Sequence, residues 1–221
     1  MKKFFAILTA LMLAVTGCVL ASAEGKTLSP AYDVDMETYG DEGGAVHVSL
    51  DPVQVDETGC LIYSVYALDM YYKEDIEALQ PGDKLFANDE ELTVNTVEKT
   101  EYGYEINGGY DETEEGVSLR YVDEDPETLY SMMLDDVASR TLVGQAAYPL
   151  ADKVTVRTYK MGDDGDYHDE YDEAELDKAD VADYLKAKEA EGILFSSPDN
   201  TVLMLVNGQV TDITVEWGPN C

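Results

Sequence analysis

From Lys84 to Tyr121 no apolar stretch runs more than a few residues before a turn signal cuts it. Lys84 to Ala87 stops at Asn88-Asp89, and Glu91 to Glu98 then carries Leu92 and Val94 on one face. Tyr102, Tyr104 and Ile106 alternate with Gly103 and Glu105. Asn107-Gly108-Gly109 breaks the chain, and Val117, Leu119 and Tyr121 alternate with Ser118 and Arg120. Side chains of a strand point alternately to its two faces, so each piece reads as a strand with one buried face. Strands this short, interrupted this often, predict an antiparallel sheet curled into a small barrel or sandwich.

The flanking segments extend that pattern. Ala45 to Leu50 places Val46, Val48 and Leu50 on one face and Ala45, His47 and Ser49 on the other. Cys60 to Leu68 is apolar on both faces, which predicts a central strand. Lys73 to Leu79 reads as a helical turn stopped by Gln80-Pro81-Gly82. Thr128 to Leu134 reads as a strand, although Asp125-Pro126 also suits a helix start. Arg140 to Tyr148 and Val154 to Tyr159 are further strands. Asn207-Gly208, between Thr201–Val206 and Gln209–Trp217, signals a hairpin because both residues accept positive φ. Ile213, Val215 and Trp217 would face its core.

One helix is expected, near 173–191. Asp172 and Glu175 have the spacing of a capping box, and Tyr171 and Leu176 that of a hydrophobic staple. Glu175–Lys178 and Asp183–Lys186 are supportive pairs, and Gly192 suits the stop. The fold class is therefore α+β, mostly antiparallel β, a small barrel or sandwich with one helix.

Lys2 and Lys3 followed by apolar Phe4 to Val15 form an export signal, too short for a comfortable membrane span. Ala21-Ser22-Ala23 offers a cleavage site that releases a soluble chain from Glu24. Val15-Thr16-Gly17-Cys18 offers a competing, lipobox-like site that leaves a lipid on Cys18. Release is favoured because Val19 and Leu20 continue the apolar run. Residues 24–44 read as a flexible lead-in, and 45–221 as the globular region, with subdomains 45–124 and 125–221 meeting near Asp123 to Pro126. No transmembrane segment is expected in the mature chain. Export leaves Cys60 and Cys221 as the thiols of the globular part. An oxidising compartment allows them to pair, closing a loop of about 160 residues worth up to roughly 5 kcal/mol. The alternative is a buried Cys60 and a free Cys221.

Charge limits the function classes. Fourteen Lys and Arg face 47 Asp and Glu, for a formal charge of −33. Loss of Lys2 and Lys3 takes it to −35. Nucleic-acid binding through phosphates and docking on anionic lipid both need clustered cations and are excluded as expectations. The hydrophobic share, 45%, is that of a folded domain. No G-x-S-x-G, Walker, dinucleotide, H-E-x-x-H or C-x-x-C motif occurs. His47 falls on the polar face of a strand and His168 in an acidic loop.

Two surfaces stand out as candidates. Eight acids lie in the 13 residues from Asp163 to Glu175. Asp163, Asp164, Asp166, Asp169 and Glu170 are the ones a calcium ion would take, since hard cations prefer several carboxylate oxygens. The competing reading is a solvated acidic loop with weak, diffuse cation association. Tyrosine is the other excess. Tyr63, Tyr66, Tyr71, Tyr72, Tyr102 and Tyr104 could form a face that stacks on a partner, or they could be half-buried strand residues.

Leu79-Gln80-Pro81-Gly82-Asp83-Lys84, followed by Glu91 to Val97, resembles the opening of many small SH3-like barrels. With the signal peptide, the Asn107-Gly108-Gly109 turn and the Val206-to-Val210 hairpin, the chain resembles exported β-rich proteins of Gram-positive anaerobes. The resemblance implies an extracytoplasmic β-rich protein and carries over no catalytic residue. The expected function is a non-catalytic, extracytoplasmic binding module for a protein, polymer or cation, with no cofactor other than calcium in view. The alternative is a carboxylate-dependent, glycosidase-like hydrolase, which needs only two acids at a fixed separation.

Overall fold

The computed structural model describes residues 25–41, 43–110, 116–123, 125–132, 137–161 and 167–216. Most of these residues lie in antiparallel strands. Fourteen strands occur, with two helices among the described residues. In chain order the strands are β1 (Thr27–Leu28), β2 (Ala31–Tyr32), β3 (Gly44–Val55) and β4 (Cys60–Tyr72), followed by helix α1 (Lys73–Glu77). Then come β5 (Lys84–Ala87), β6 (Glu90–Thr93), β7 (Val97–Lys99), β8 (Gly103–Ile106), β9 (Val117–Val122), β10 (Asp125–Met132), β11 (Arg140–Met161) and β12 (Tyr167–Asp177). Helix α2 (Val181–Ala190) and the hairpin β13 (Thr201–Val206) and β14 (Gln209–Val215) complete the described chain.

Five of these strands close on themselves. β3 pairs with β4 and β13, β13 with β14, and β14 with β11. β11 then returns to β4, so the pairings form a ring. Its length makes this work. The first part of β11, Arg140 to Pro149, pairs with β4, and Leu150 to Thr158 pairs with β14. A strand that serves two neighbours in succession is how a small sheet removes its edges. The sequence reading had two strands here, Arg140–Tyr148 and Val154–Tyr159.

The ring encloses one core. Val46, Val48 and Leu50 of β3 meet Leu61, Tyr63 and Val65 of β4, Val154 and Val156 of β11, and Ile213 and Val215 of β14. α2 adds Val181 and Leu185, one turn apart, and the segment after it adds Ile193 and Phe195. A second core is built from the chain between β4 and β11. Tyr71, Ile76, Leu79, Leu85, Ile106, Leu119 and Leu129 are its centre. The sequence suggests a subdomain boundary near Asp123 to Pro126. Residues on both sides of it, in β9 and β10, pair with one another and share that second core. The second core interrupts the first instead of following it.

The helix expected near 173–191 forms as α2, with a later start. Residues 173–177 belong to β12, and α2 begins only at Val181. The capping box at Asp172 is a local signal, and a non-local one overrides it. Glu173, Glu175 and Asp177 are exposed and alternate with half-buried Ala174 and Leu176, the period of a strand. β11 places Arg157 opposite Glu173 and Lys153 opposite Asp177. The expected stop is where it was read: Gly192 follows the last turn at φ +102°, and Ile193 N–H donates to the Lys188 carbonyl. His168 lies in β12, in register with Lys160, not in a loop.

Residues 25–41, part of the lead-in read as 24–44, carry two short strands. β1 lies parallel to β5, and β2 pairs with Met70 and Asp69 of β4. Val34, Met36 and Tyr39 pack against the first core. The segment is polar on average, and its few apolar residues are spaced as anchors, which composition does not reveal. It forms a strap across both cores.

The Asn207-Gly208 hairpin forms as expected, with φ +52° and +70°. Ile213 and Val215 are fully buried, and Trp217 lies outside the described residues.

Candidate functional site

β4 carries one buried stripe through both cores: Leu61, Tyr63, Val65, Ala67, Asp69 and Tyr71. Five of the six are apolar or aromatic. Asp69 is the exception, and it is fully buried. It sits where the first core ends, past Val65, and before the second begins at Tyr71.

The seam around Asp69 is polar and closed. Ser139 Oγ donates to Asp69 Oδ2 at 2.9 Å, and Asp69 N–H donates to the Ser139 carbonyl. Asp69 Oδ1 has no hydrogen-bond partner. Ser131 follows the last β10 residue paired with β4, its carbonyl accepts the Ser139 N–H at 2.9 Å, and its buried Oγ is also without a partner. Burial pushes the Asp69 carboxyl above the usual carboxylate range. The Thr141 and Ser139 hydroxyls oppose that shift, and the charges of Asp89 and Asp33 add to it. Tyr71, beside it, donates its hydroxyl to the Phe86 carbonyl at 2.8 Å. The sequence alone does not single out Asp69. The available signal was an acid in phase with Leu61, Tyr63 and Val65.

The strap covers this seam. Tyr32 is in register with Asp69, and Asp33 Oδ1 accepts the Leu68 N–H at 2.8 Å. Further along, Tyr39 and Tyr63 hydroxyls are 2.6 Å apart, and Tyr148 donates to the Tyr39 carbonyl at 2.7 Å. Burial raises both phenols of the first pair, Tyr39 to about 12. A cavity of about 90 Å³ lies under the strap, lined by Asp33, Asp35, Tyr39, Val46 and Leu205 among others.

On the opposite face, His47 Nδ1 lies 2.7 Å from the Pro198 carbonyl, which fits a neutral ring donating that bond. Arg140 is half-buried, and its Nε has no hydrogen-bond partner.

The tyrosine face is not one surface. Tyr63, Tyr71 and Tyr104 are core residues, and Tyr66 is half-buried. Tyr72 and Tyr102 are exposed, at 58% and 66%. Alternation explains the split, because Tyr71 and Tyr72 are neighbours on opposite faces of β4. Asp163, Asp164 and Asp166 lie outside the described residues, and Asp169 and Glu170 fall on β12. Cys18 and Cys221 also lie outside the described residues. Cys60 opens β4 half-buried, its Sγ 3.3 Å from Thr58 Oγ1, and no disulfide forms among the described residues. No described helix is long and apolar enough to cross a membrane.

β12 presents an acidic edge. It pairs on one side with β11, and no other described segment bonds to its outer edge. Its inner face is tied to α2: Lys188 Nζ reaches Asp172 at 3.0 Å and Glu191 at 2.9 Å, and Lys160 lies 3.7 Å from Asp172. The chain matches no protein-family model, no curated protein and no solved structure.

Proposed function

We propose that the chain is an exported, non-catalytic interaction module that binds a cationic partner at the outer edge of β12, with divalent cations associating weakly at the same acids. The free edge supports this reading. It is 11 residues long and bears exposed Glu173, Glu175 and Asp177 on one face. An unpaired edge is a template for another strand, and charge along it turns away strands of like charge. The paired side of β12 displays the complement: Lys153 and Arg157 of β11 stand opposite Asp177 and Glu173, and Lys153 Nζ lies 2.9 Å from Asp177. A partner strand with Lys or Arg at every second position has the same complement. The displaced carboxyl, Asp69, is sealed in the seam and lends no support to a hydrolase.

The test is an NMR titration of the mature chain with a synthetic peptide of alternating Lys and Val. Shifts along β12 that disappear in Glu173→Lys/Glu175→Lys are the expected result. Shifts spread evenly over all exposed acids, or none at all, would overturn the edge reading. Intact mass of the native product separates release at Glu24 from a lipid on Cys18, and with reductant it reports the Cys60–Cys221 bond.

A further inference from the structure

We propose that Asp69 and β2 form a proton-operated latch over the seam between the two cores: with Asp69 neutral the strap is docked, and with Asp69 ionised its middle lifts. The geometry carries this. Asp69 is fully buried in a stripe that is otherwise apolar or aromatic, and only one of its two oxygens has a hydrogen-bond donor. A buried carboxylate without a cation or a full set of donors is very costly, whereas the neutral acid is tolerated and can itself donate. Ser131 Oγ, buried and unpartnered on the residue whose carbonyl bonds the Ser139 N–H, is one acceptor in the seam for that proton.

Of the charged and titratable groups around the seam, only Arg140 favours the carboxylate. Asp33 on the strap and Asp89 in the β5–β6 turn are acids and disfavour a further negative charge. Tyr32 on β2 and Tyr71 on β4 are phenols whose own ionisation is held up by burial first and by Asp69 next. Arg140 of β11 is the cation nearby. It is in register with Leu68, however, so its side chain leaves β11 on the face opposite to Ser139 and Thr141.

The part that yields is β2. Its pairing with β4 is two residues long, Ala31 with Met70 and Tyr32 with Asp69, and Tyr32 is 40% exposed. The strap's ends are held elsewhere, by β1 on β5 and by Tyr39 on Tyr63. Local opening selects the segment with the fewest buried contacts, so water reaches Asp69 by lifting β2 while both cores stay folded. Docking is complete below the ordinary carboxylate range and is lost as pH rises through the raised value.

The experiment uses the whole mature chain labelled with 13Cγ-aspartate, from about pH 4 to about pH 9. Carboxyl NMR follows Asp69, and amide exchange, corrected for its intrinsic pH dependence, follows residues 31–34. Protection of the Tyr32 and Asp33 amides should fall by up to about tenfold per pH unit between the ordinary carboxylate range and the Asp69 midpoint and level off above it, while β13 and β14 hold. Asp69→Asn should show flat protection. Asp89→Asn removes a repelling charge and should move the midpoint to lower pH. The latch is overturned if Asp69 titrates in the ordinary range, or if the strap's protection is flat in the wild type. If Asp69→Asn does not fold, the direction of the Asp89→Asn shift decides.

Discussion

Ser139 Oγ donates to Asp69 Oδ2 inside a seam that solvent does not reach. Asp69 belongs to β4, which passes through both cores. Ser139 sits just before β11, which closes the five-stranded ring. The bond therefore ties β4 to the start of β11 at the point where one core gives way to the other.

Removing the acid and removing only its charge should differ sharply. Asp69→Ala strands the Ser139 hydroxyl and leaves a void, and should cost roughly 2–3 kcal/mol in urea unfolding. Asp69→Asn keeps an acceptor for Ser139 and turns an amide donor toward Ser131. It should lie within about 1 kcal/mol of wild type at acid pH and become the more stable chain as pH rises. Equal losses in the two variants would show that shape, not the hydrogen bond, holds the seam.

Much of the ring was legible because its signals are local. Val46, Val48 and Leu50 alternate within one strand, and Asn207-Gly208 sets its turn within two residues. The α+β, mostly antiparallel class followed from such pieces. What escaped was set by partners distant in sequence. Glu173 to Asp177 look helical until Lys153 and Arg157 are placed beside them. Leu28, Tyr32 and Tyr39 look like loop residues until the cores they cross are known. Asp69 was visible as an acid in an apolar period, but its isolation depends on Ser131 and Ser139, more than 60 residues away.

His47 should make the protein more fragile on the acid side. Burial lowers its pKa first, and the Arg140 charge adds to this. The Pro198 carbonyl, Asp33 and Asp199 oppose the shift without cancelling it. The folded ring thus stays neutral at pH values where the unfolded ring, near 6.5, takes a proton. Its contribution is present above that value and is lost as pH falls through the depressed one. His47→Gln can still donate to Pro198 and does not titrate. Its Tm should fall less than the wild-type Tm between about pH 6.5 and about pH 5, and parallel curves would remove His47 from the acid response.

Gly103 has no room for a side chain. Its φ is +155°, and a Cβ there would stand 1.9 Å from the Leu119 carbonyl oxygen in the neighbouring strand. Gly103→Ala must push β8 away from β9, and should cost roughly 3 kcal/mol. Gly208 also has positive φ, at +70°, but a Cβ there meets open space. Gly208→Ala should cost only about 1 kcal/mol, the backbone part alone. Chemical unfolding of the two variants side by side separates crowding from conformation, and similar losses would contradict the close β8–β9 approach.

Lys188 should act as the tie between α2 and β12, in a way that depends on pH. Its side chain is only 14% exposed, and its ammonium bonds Asp172 and Glu191. Burial alone would lower its pKa, but the bonds to Glu191 and Asp172 outweigh this and leave it raised. Asp172 is held below its ordinary value, chiefly by the Lys188 bond and against its own partial burial. Lys188→Met keeps the packed stem and removes the charge. Because Asp172 is 40% exposed, the loss should be screened to about 1 kcal/mol at neutral pH. Asp172 contributes above its unfolded pKa and ceases to as pH falls through its depressed value, so the gap between variant and wild type should close in strong acid. Amide exchange should locate the neutral-pH loss in β12 and α2. A gap that stays constant into strong acid would mean that the stem, and not the ion pair, makes the tie.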